Sequence, residues 1–171
     1  MRADNDQAKK HSPPSERITA KTKLIVTSTA FQDNGAIPAE YTCDGAEKSP
    51  PLSWSKVPAG TKSISILVED PDAPKGTFTH WLVTDIPPTT TSLAAGSALP
   101  SGAMAMKNSK GDKKYAGPCP PNGTHHYHFH VYALDTKVAN ADSKSQLLAS
   151  IDGHVLAEGE LVGTYEKRAN R

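Results

Sequence analysis

The stretch Val68-Glu-Asp-Pro-Asp-Ala-Pro-Lys-Gly-Thr-Phe-Thr-His80-Trp81 constrains the fold more than any other part of the chain. Ahead of it, Ile64, Ile66 and Val68 fall on one face and Ser63, Ser65 and Glu69 on the other, which predicts a strand over residues 61–69. Pro71 and Pro74 then fix φ, and Gly76 follows, so the chain turns through a stiff corner. It returns as a second strand over residues 78–86, stopped by Pro87-Pro88. Simple alternation puts His80, Leu82 and Thr84 on one face of this returning strand. Asp70 keeps the parity of Ile64, Ile66 and Val68. An acid at the end of a buried face is costly unless something pairs with it.

Similar punctuation recurs along the whole chain. With 14 Pro and 12 Gly spread over 171 residues, many short strands fit better than a helical bundle, and a mostly β domain is predicted. Residues 24–31 read as a first strand ended by Asp33-Asn34-Gly35, and Ser49-Pro-Pro-Leu-Ser-Trp54 as a stiff segment docking Leu52 and Trp54. Residues 89–115 lack apolar periodicity and read as a long surface loop. Ser143-Lys-Ser-Gln146 is a capping-box pattern ahead of Leu147, Leu148 and Ile151, which predicts a helix ended at Gly153. Residues 154–166 suit helix or strand, and Thr164-Tyr165 with the β context favours a closing strand. Residues 1–22 are polar and read as a disordered arm, leaving a single domain over 23–167.

The charge balance, 19 Lys+Arg against 18 Asp+Glu, gives +1 and no basic field for nucleic acid, and no apolar run is long enough for a transmembrane segment. No apolar signal region precedes the domain, so a cytoplasmic protein is expected, with a periplasmic one as the alternative if a signal was removed. Monomer and homodimer both remain open. Cys43 and Cys119 read as two buried thiols, with a single bridge as the alternative.

A second dense stretch runs from Tyr115 through Gly117-Pro-Cys-Pro-Pro-Asn-Gly123 to His125-His-Tyr-His-Phe-His130. The Gly/Pro loop leaves few side chains to block a ligand. After it, His125, Tyr127, Phe129, Val131 and Ala133 share one strand face, and His126, His128 and His130 share the other. If the two rigid corners meet, Asp70, Asp72, His80, His125 and Tyr127 form one cluster. Carboxylates beside imidazoles favour imidazolium, and His⁺ with a Tyr hydroxyl and loop N–H groups can hold an oxyanion without lysine or arginine. A structural hydrogen-bond cluster and a zinc or manganese site are the competing readings. The His126, His128, His130 row is taken as a partly exposed polar face rather than a metal site. No G-x-S-x-G elbow, Walker loop or dinucleotide glycine pattern is present, so neither a catalytic residue nor a cofactor is assigned.

Asp70-Pro-Asp-Ala-Pro74 followed by His80-Trp81, with Gly117-Pro-Cys-Pro-Pro-Asn-Gly-Thr-His125-His-Tyr127, resembles the phosphatidylethanolamine-binding protein (Raf kinase inhibitor protein) family. Tyr41-Thr-Cys-Asp-Gly45, Ser49-Pro-Pro-Leu-Ser-Trp54 and Gly163-Thr-Tyr165 are closest to its bacterial and archaeal branch, and the likeness runs from about Leu24 to Lys167. The resemblance implies a β-sandwich with a large central antiparallel sheet, a smaller sheet and one or two short helices. It also implies a small anion pocket for phosphate or carboxylate groups, such as phosphorylated head groups or phospho-side chains. By position its residues are Asp70, Asp72, His80, Gly117, Pro118, His125 and Tyr127. Relatives often carry arginine where this chain has His126. The expected function is non-enzymatic binding of a phosphorylated or carboxylated ligand, with a kinase or protease as an open protein partner. Two alternatives are retained: a protease or kinase inhibitor acting through exposed loops, and a metal-dependent hydrolase.

Overall fold

A computed structural model describes residues 22–138 and 141–169. In chain order its strands are β1 (Thr22–Lys23), β2 (Ile25–Thr27), β3 (Gly35–Ala36), β4 (Leu52–Ser55), β5 (Ser63–Asp70), β6 (Phe78–Ile86), β7 (Ser92–Leu93), β8 (Met104–Ala105), β9 (Thr124–Leu134) and β10 (Val155–Glu166). The helix α1 (Lys144–Ile151) lies between β9 and β10, and a short 3-10 turn spans Ala39–Tyr41.

The order of the large sheet is β1-β10-β9-β5-β6-β8, with β3 also on β10, and β2-β4-β7 form the smaller sheet. The long strands pair antiparallel, while β1 and β3 meet β10 in parallel. This is the mostly β two-sheet architecture expected, with the central sheet antiparallel except at that edge. Apolar side chains from both sheets meet between them: Val26, Leu52, Trp54 and Leu93 from the small sheet face Ile64, Ile66, Val68, Phe129 and Val131. The other face of the large sheet is also covered. Leu67, Leu82, Tyr132 and Leu134 pack there against Leu147 and Ile151 of α1. Burial on both faces explains why every residue of β5 is buried, serines and Glu69 included.

Helix α1 starts where the sequence predicts. Ser143 Oγ accepts the N–H of Gln146 at 3.4 Å, and Gln146 Oε1 accepts the N–H of Asp142 at 2.6 Å, a capping box displaced by one residue. Gly153, at φ 82°, turns the chain out of the helix and into β10. Residues 154–166 thus close the sheet as a strand, since β10 pairs with β9 along its whole length.

Several expectations need adjustment, among them the surface loop over residues 89–115, which supplies β7 and β8 and sends Leu93 into the core. The first strand is split and short, as β1 and β2 straddle Leu24, whose N–H crosses to Glu158 O at 2.8 Å. The arm expected over 1–22 lies outside the described residues up to 21, and Thr22 already pairs with Ala157. Finally, β6 does not alternate simply. Val68 pairs with Trp81 and Glu69 with Thr79, so His80 is an extra residue on β6, a β-bulge. A second irregularity falls between Ile64 and Ile66, where the opposing Asp85 has φ 58°. Leu82 packs under α1, while Trp81, Val83 and Ile86 enter the inter-sheet core.

Candidate functional site

The two rigid corners meet at one end of the large sheet. The Pro71/Pro74 corner joins β5 to β6, and the Gly/Pro loop leads into β9, which lies beside β5. Between them is a cavity of about 300 Å³ lined by Asp70, Ala73, Pro74, Phe78, His80, Lys110, Gly117, Cys119, Pro120, Pro121, His125 and Tyr127. Five of the predicted residues therefore line one space: Asp70, His80, Gly117, His125 and Tyr127.

The bulge is what brings His80 there. It frees His80 from the face of Leu82 and sets its ring edge-on to Tyr127, with centroids 5.1 Å apart, and 4.7 Å from the ring of Phe78. Its Nδ1–H donates to Ala116 O at 2.8 Å, and Ala116 N–H donates back to His80 O at 2.8 Å. A carbonyl can only accept, so the proton sits on Nδ1 and Nε2 is left as the acceptor nitrogen. Burial lowers the His80 pKa to about 4. His80 is thus a neutral wall of the cavity near neutral pH, which corrects the reading that carboxylates keep it charged.

Asp70 serves His125 instead. Asp70 Oδ2 lies 2.6 Å from His125 Nδ1, and Asp70 Oδ1 accepts the N–H of Asp72 at 2.8 Å. Desolvation pushes the Asp70 carboxyl above its ordinary pKa, against the opposing hydrogen bonds from His125 and Asp72. Because the carboxyl fixes Nδ1, Nε2 of His125 is the nitrogen left to other partners.

Two predicted residues lie outside the cavity lining. Asp72 turns to the far face, where its Oδ2 takes both the N–H and the Nδ1 of His126 at 2.8 Å, riveting the corner to β9. Partial burial pushes its pKa up, but the hydrogen bonds from His126 prevail and hold it below the ordinary value. Pro118 is buried behind the wall, its carbonyl accepting the N–H of Cys43 at 3.1 Å.

The wall itself is a strap over residues 115–119. Tyr115 Oη donates to Tyr41 O at 2.7 Å, Gly117 N–H donates to Glu47 Oε2 at 3.0 Å, and Cys119 is bridged to Cys43 with a Cα–Cα distance of 5.4 Å. The expectation of two buried thiols is therefore replaced by a disulfide, and Cys119 is exposed at the cavity. Both sulfurs are committed to each other.

Lys110 is the charged lining residue that sequence reasoning missed, so the cavity is not without lysine. Its loop is set by Asn108, whose Oδ1 accepts the N–H of Lys110 at 2.8 Å and of Asp112 at 3.1 Å, with Gly111 at φ 88°. Asn108-Ser-Lys-Gly-Asp112 is an Asx-turn pattern, a signal present in the sequence but masked by the polar loop around it.

In chemical terms, an oriented imidazole and an ammonium group stand among apolar and aromatic walls. Asp70 and His125 supply two members of a nucleophile-activating arrangement, but the lining contributes no serine or threonine and the sulfur of Cys119 is bridged. Such a space suits a small anionic group held by directional donors.

Fold and site together define a two-sheet β protein with a ligand-sized cavity at one end of its central sheet. Residues 27–166 match the phosphatidylethanolamine-binding protein family, and the chain belongs to that family. A UPF0098 protein of Methanothermobacter thermautotrophicus is 45% identical over 144 residues, covering 81% of this chain and 95% of its own. One from Chlamydia trachomatis serovar D is 42% identical over 151 residues, covering 84% and 99%. Among solved structures, the phosphatidylethanolamine-binding protein homologue CT736 of Chlamydia trachomatis has TM-score 0.81 and 41% identity, covering 86% of this chain and all of its own. Escherichia coli YbcL, described as a new member of the mammalian family, has TM-score 0.79 and 34% identity with the same coverage. No described helix is long and apolar enough to cross a membrane.

Proposed function

We propose that the chain is a non-enzymatic binding protein whose cavity takes a small phosphate or carboxylate group, presented by a phosphorylated head group or a phospho-side chain. The observation that carries this is the convergence of His125, oriented by Asp70, and Lys110 on a cavity whose remaining wall is mainly proline, glycine and aromatic rings. An anion entering it meets the Lys110 ammonium and His125 Nε2, while the bridged Cys119 leaves no thiol to react with it. The family match supports a binding role, and the bridge supports residence in an oxidising compartment such as a periplasm rather than the cytoplasm.

Calorimetric titration with inorganic phosphate, phosphoethanolamine and phosphoserine tests the proposal. One saturable site is expected, weakened by Lys110→Met and by His125→Gln. Phosphoethanolamine and phosphoserine against phosphate separate recognition of the whole head group or side chain from recognition of the anion alone. Absence of heat with all three between about pH 5 and 8, where His80 stays neutral, overturns it.

A further inference from the structure

We propose that His128, His130 and Glu160 form a binding site for one divalent transition-metal ion of the zinc or copper kind, on the face of the central sheet opposite the anion cavity. The three residues come from two adjacent strands. His128 and His130 are two apart on β9 and therefore share a face, and Glu160 of β10 stands directly opposite His130. The imidazole rings lie nearly parallel, centroids 6.0 Å apart at 15°, and His130 is stacked in turn on Tyr132 at 12°.

Both Nδ1 atoms look towards the same carboxylate. His128 Nδ1 is 2.5 Å from Glu160 Oε1, and His130 Nδ1 is 3.9 Å from Glu160 Oε2. One ligand atom from each of the three residues falls within 4.8 Å of the others. These separations, each to a different oxygen of Glu160, lie on either side of the ~3.4 Å edge of a tetrahedron with ~2.1 Å metal–ligand bonds, so the carboxylate must turn to present one oxygen to both nitrogens. Small side-chain rotations are enough to close the set around an ion.

A further carboxylate stands behind the ligand set, beyond hydrogen-bond length but on the side where a metal-bound histidine usually has a partner. Glu69 Oε1 is 3.8 Å from Nε2 of His130, on the side away from Glu160, and Glu69 is wholly buried and held by Lys144 Nζ at 2.8 Å. The two ring nitrogens of His130 thus face carboxylates at nearly equal distances, and an ion on the Glu160 side would take Nδ1 and leave the proton on Nε2, towards Glu69. His130 is buried, His128 is half-buried and Glu160 reaches solvent, so an ion enters from outside and keeps a water as its remaining ligand. On binding, the ion takes the place of the Nδ1 proton of His128, which moves to Nε2 when the ring is neutral and to solvent when it is imidazolium. Two imidazoles and one carboxylate with open positions suit zinc or copper rather than magnesium or calcium. His126 takes no part, because Asp72 holds it.

The experiment is zinc chloride titration of the full chain without a polyhistidine tag, followed by calorimetry and by long-range ¹⁵N spectra of the histidine rings. One zinc per chain is expected, with the Nδ1 resonances of His128 and His130 shifted and those of His125 unmoved. Glu160→Gln, a substitution on the exposed rim, is expected to weaken zinc about tenfold or more, and His128→Gln with Glu160→Gln to abolish uptake. His125→Gln in the anion cavity is expected to leave zinc uptake unchanged. Failure of wild-type protein to take up stoichiometric zinc, or uptake that survives the double substitution, overturns the site and leaves His128 and Glu160 as an ordinary ion pair.

Discussion

Nδ1 of His125 lies 2.6 Å from Oδ2 of Asp70, and both side chains are less than a tenth exposed, at 7% and 4%. Removing one partner of such a pair strands the other, so Asp70→Ala is expected to destabilise the protein by about 3 kcal/mol in urea unfolding. Asp70→Asn behaves differently. Its oxygen is still required by the N–H of Asp72, which turns the amide N–H towards His125 Nδ1. The His125 proton then moves to Nε2, a change visible in long-range ¹⁵N spectra, while the relief of desolvation keeps the stability loss near about 1 kcal/mol. With Nδ1–H given to Asp70, His125 can donate from Nε2 to an anion only as the doubly protonated ring, whereas the asparagine variant meets the anion as a neutral one, so phosphate affinity is expected to fall roughly tenfold. Asp72→Asn, on the far face against His126, is expected to leave affinity unchanged and to cost under about 1 kcal/mol. Equal losses of phosphate affinity for the two asparagine variants would contradict the placement of the two acids.

Protonation of His80 sets a second expectation. Its pKa falls from 6.5 to about 4 on folding because burial disfavours the imidazolium. Between those values the unfolded chain binds a proton that the native chain does not, so stability is full above about pH 6.5 and declines as pH falls towards about 4. At about 1.4 kcal/mol per pH unit the whole window is worth about 3 kcal/mol. His80→Asn keeps a donor for Ala116 O but does not titrate. Urea unfolding at about pH 7, 5 and 4 is expected to show a shallower acid loss for His80→Asn than for wild type, the difference growing to about 3 kcal/mol. Parallel curves for the two proteins would show that His80 is not held neutral by the fold.

Much of the cavity was legible because its residues stand beside proline and glycine corners. Asp70 could be placed by parity, and His125 and Tyr127 by alternation on β9, which is regular where it meets β5. His80 could not, since a bulge inserts one residue without a composition of its own. Thr79-His80-Trp81 reads as ordinary strand, and only the pairing of Val68 with Trp81 reveals the extra residue. Glu69 was assigned to a polar face that the fold in fact buries. That is tolerable because Lys144, from a helix about 75 residues further along, comes within 2.8 Å of it. Lys110 went unseen for a related reason: it reaches the cavity from a loop whose path is set by side-chain to backbone bonds of Asn108, not by periodicity.

The bridge between Cys43 and Cys119 joins residues 76 apart in sequence and ties the cavity wall to the loop before β4. Cross-linking so long a loop restricts the unfolded chain, and Cys43→Ser with Cys119→Ser is expected to lower stability by roughly 2–4 kcal/mol. The strap keeps other fastenings at the same place, since Cys43 N–H donates to Pro118 O at 3.1 Å and Tyr115 Oη to Tyr41 O at 2.7 Å. Phosphate affinity measured well below the unfolding transition is therefore expected to fall less than about threefold, under about 1 kcal/mol. A complete loss of binding in a variant that remains folded would mean that the bridge itself shapes the cavity.

Gly117 is fixed by close approach rather than by an unusual φ. A Cβ there would meet Thr42 Cα at 2.9 Å, Tyr41 O at 2.9 Å and Glu47 Cγ at 2.8 Å. Glu47 can swing aside, but the backbone of Tyr41 and Thr42 cannot, so Gly117→Ala must push the strap away from the 41–47 loop. Ala116 is bonded in both directions to His80, which carries the displacement into the cavity. The substitution is expected to cost about 1–3 kcal/mol in urea unfolding and to weaken phosphate binding at the same time. Combining it with Glu47→Ala removes only the flexible contact and the carboxylate that accepts the Gly117 N–H, so the double variant is expected to be no more stable than Gly117→Ala alone. Recovery of wild-type stability and affinity in the double variant would show that the side chain of Glu47, not the backbone of Tyr41 and Thr42, is what demands glycine at this position.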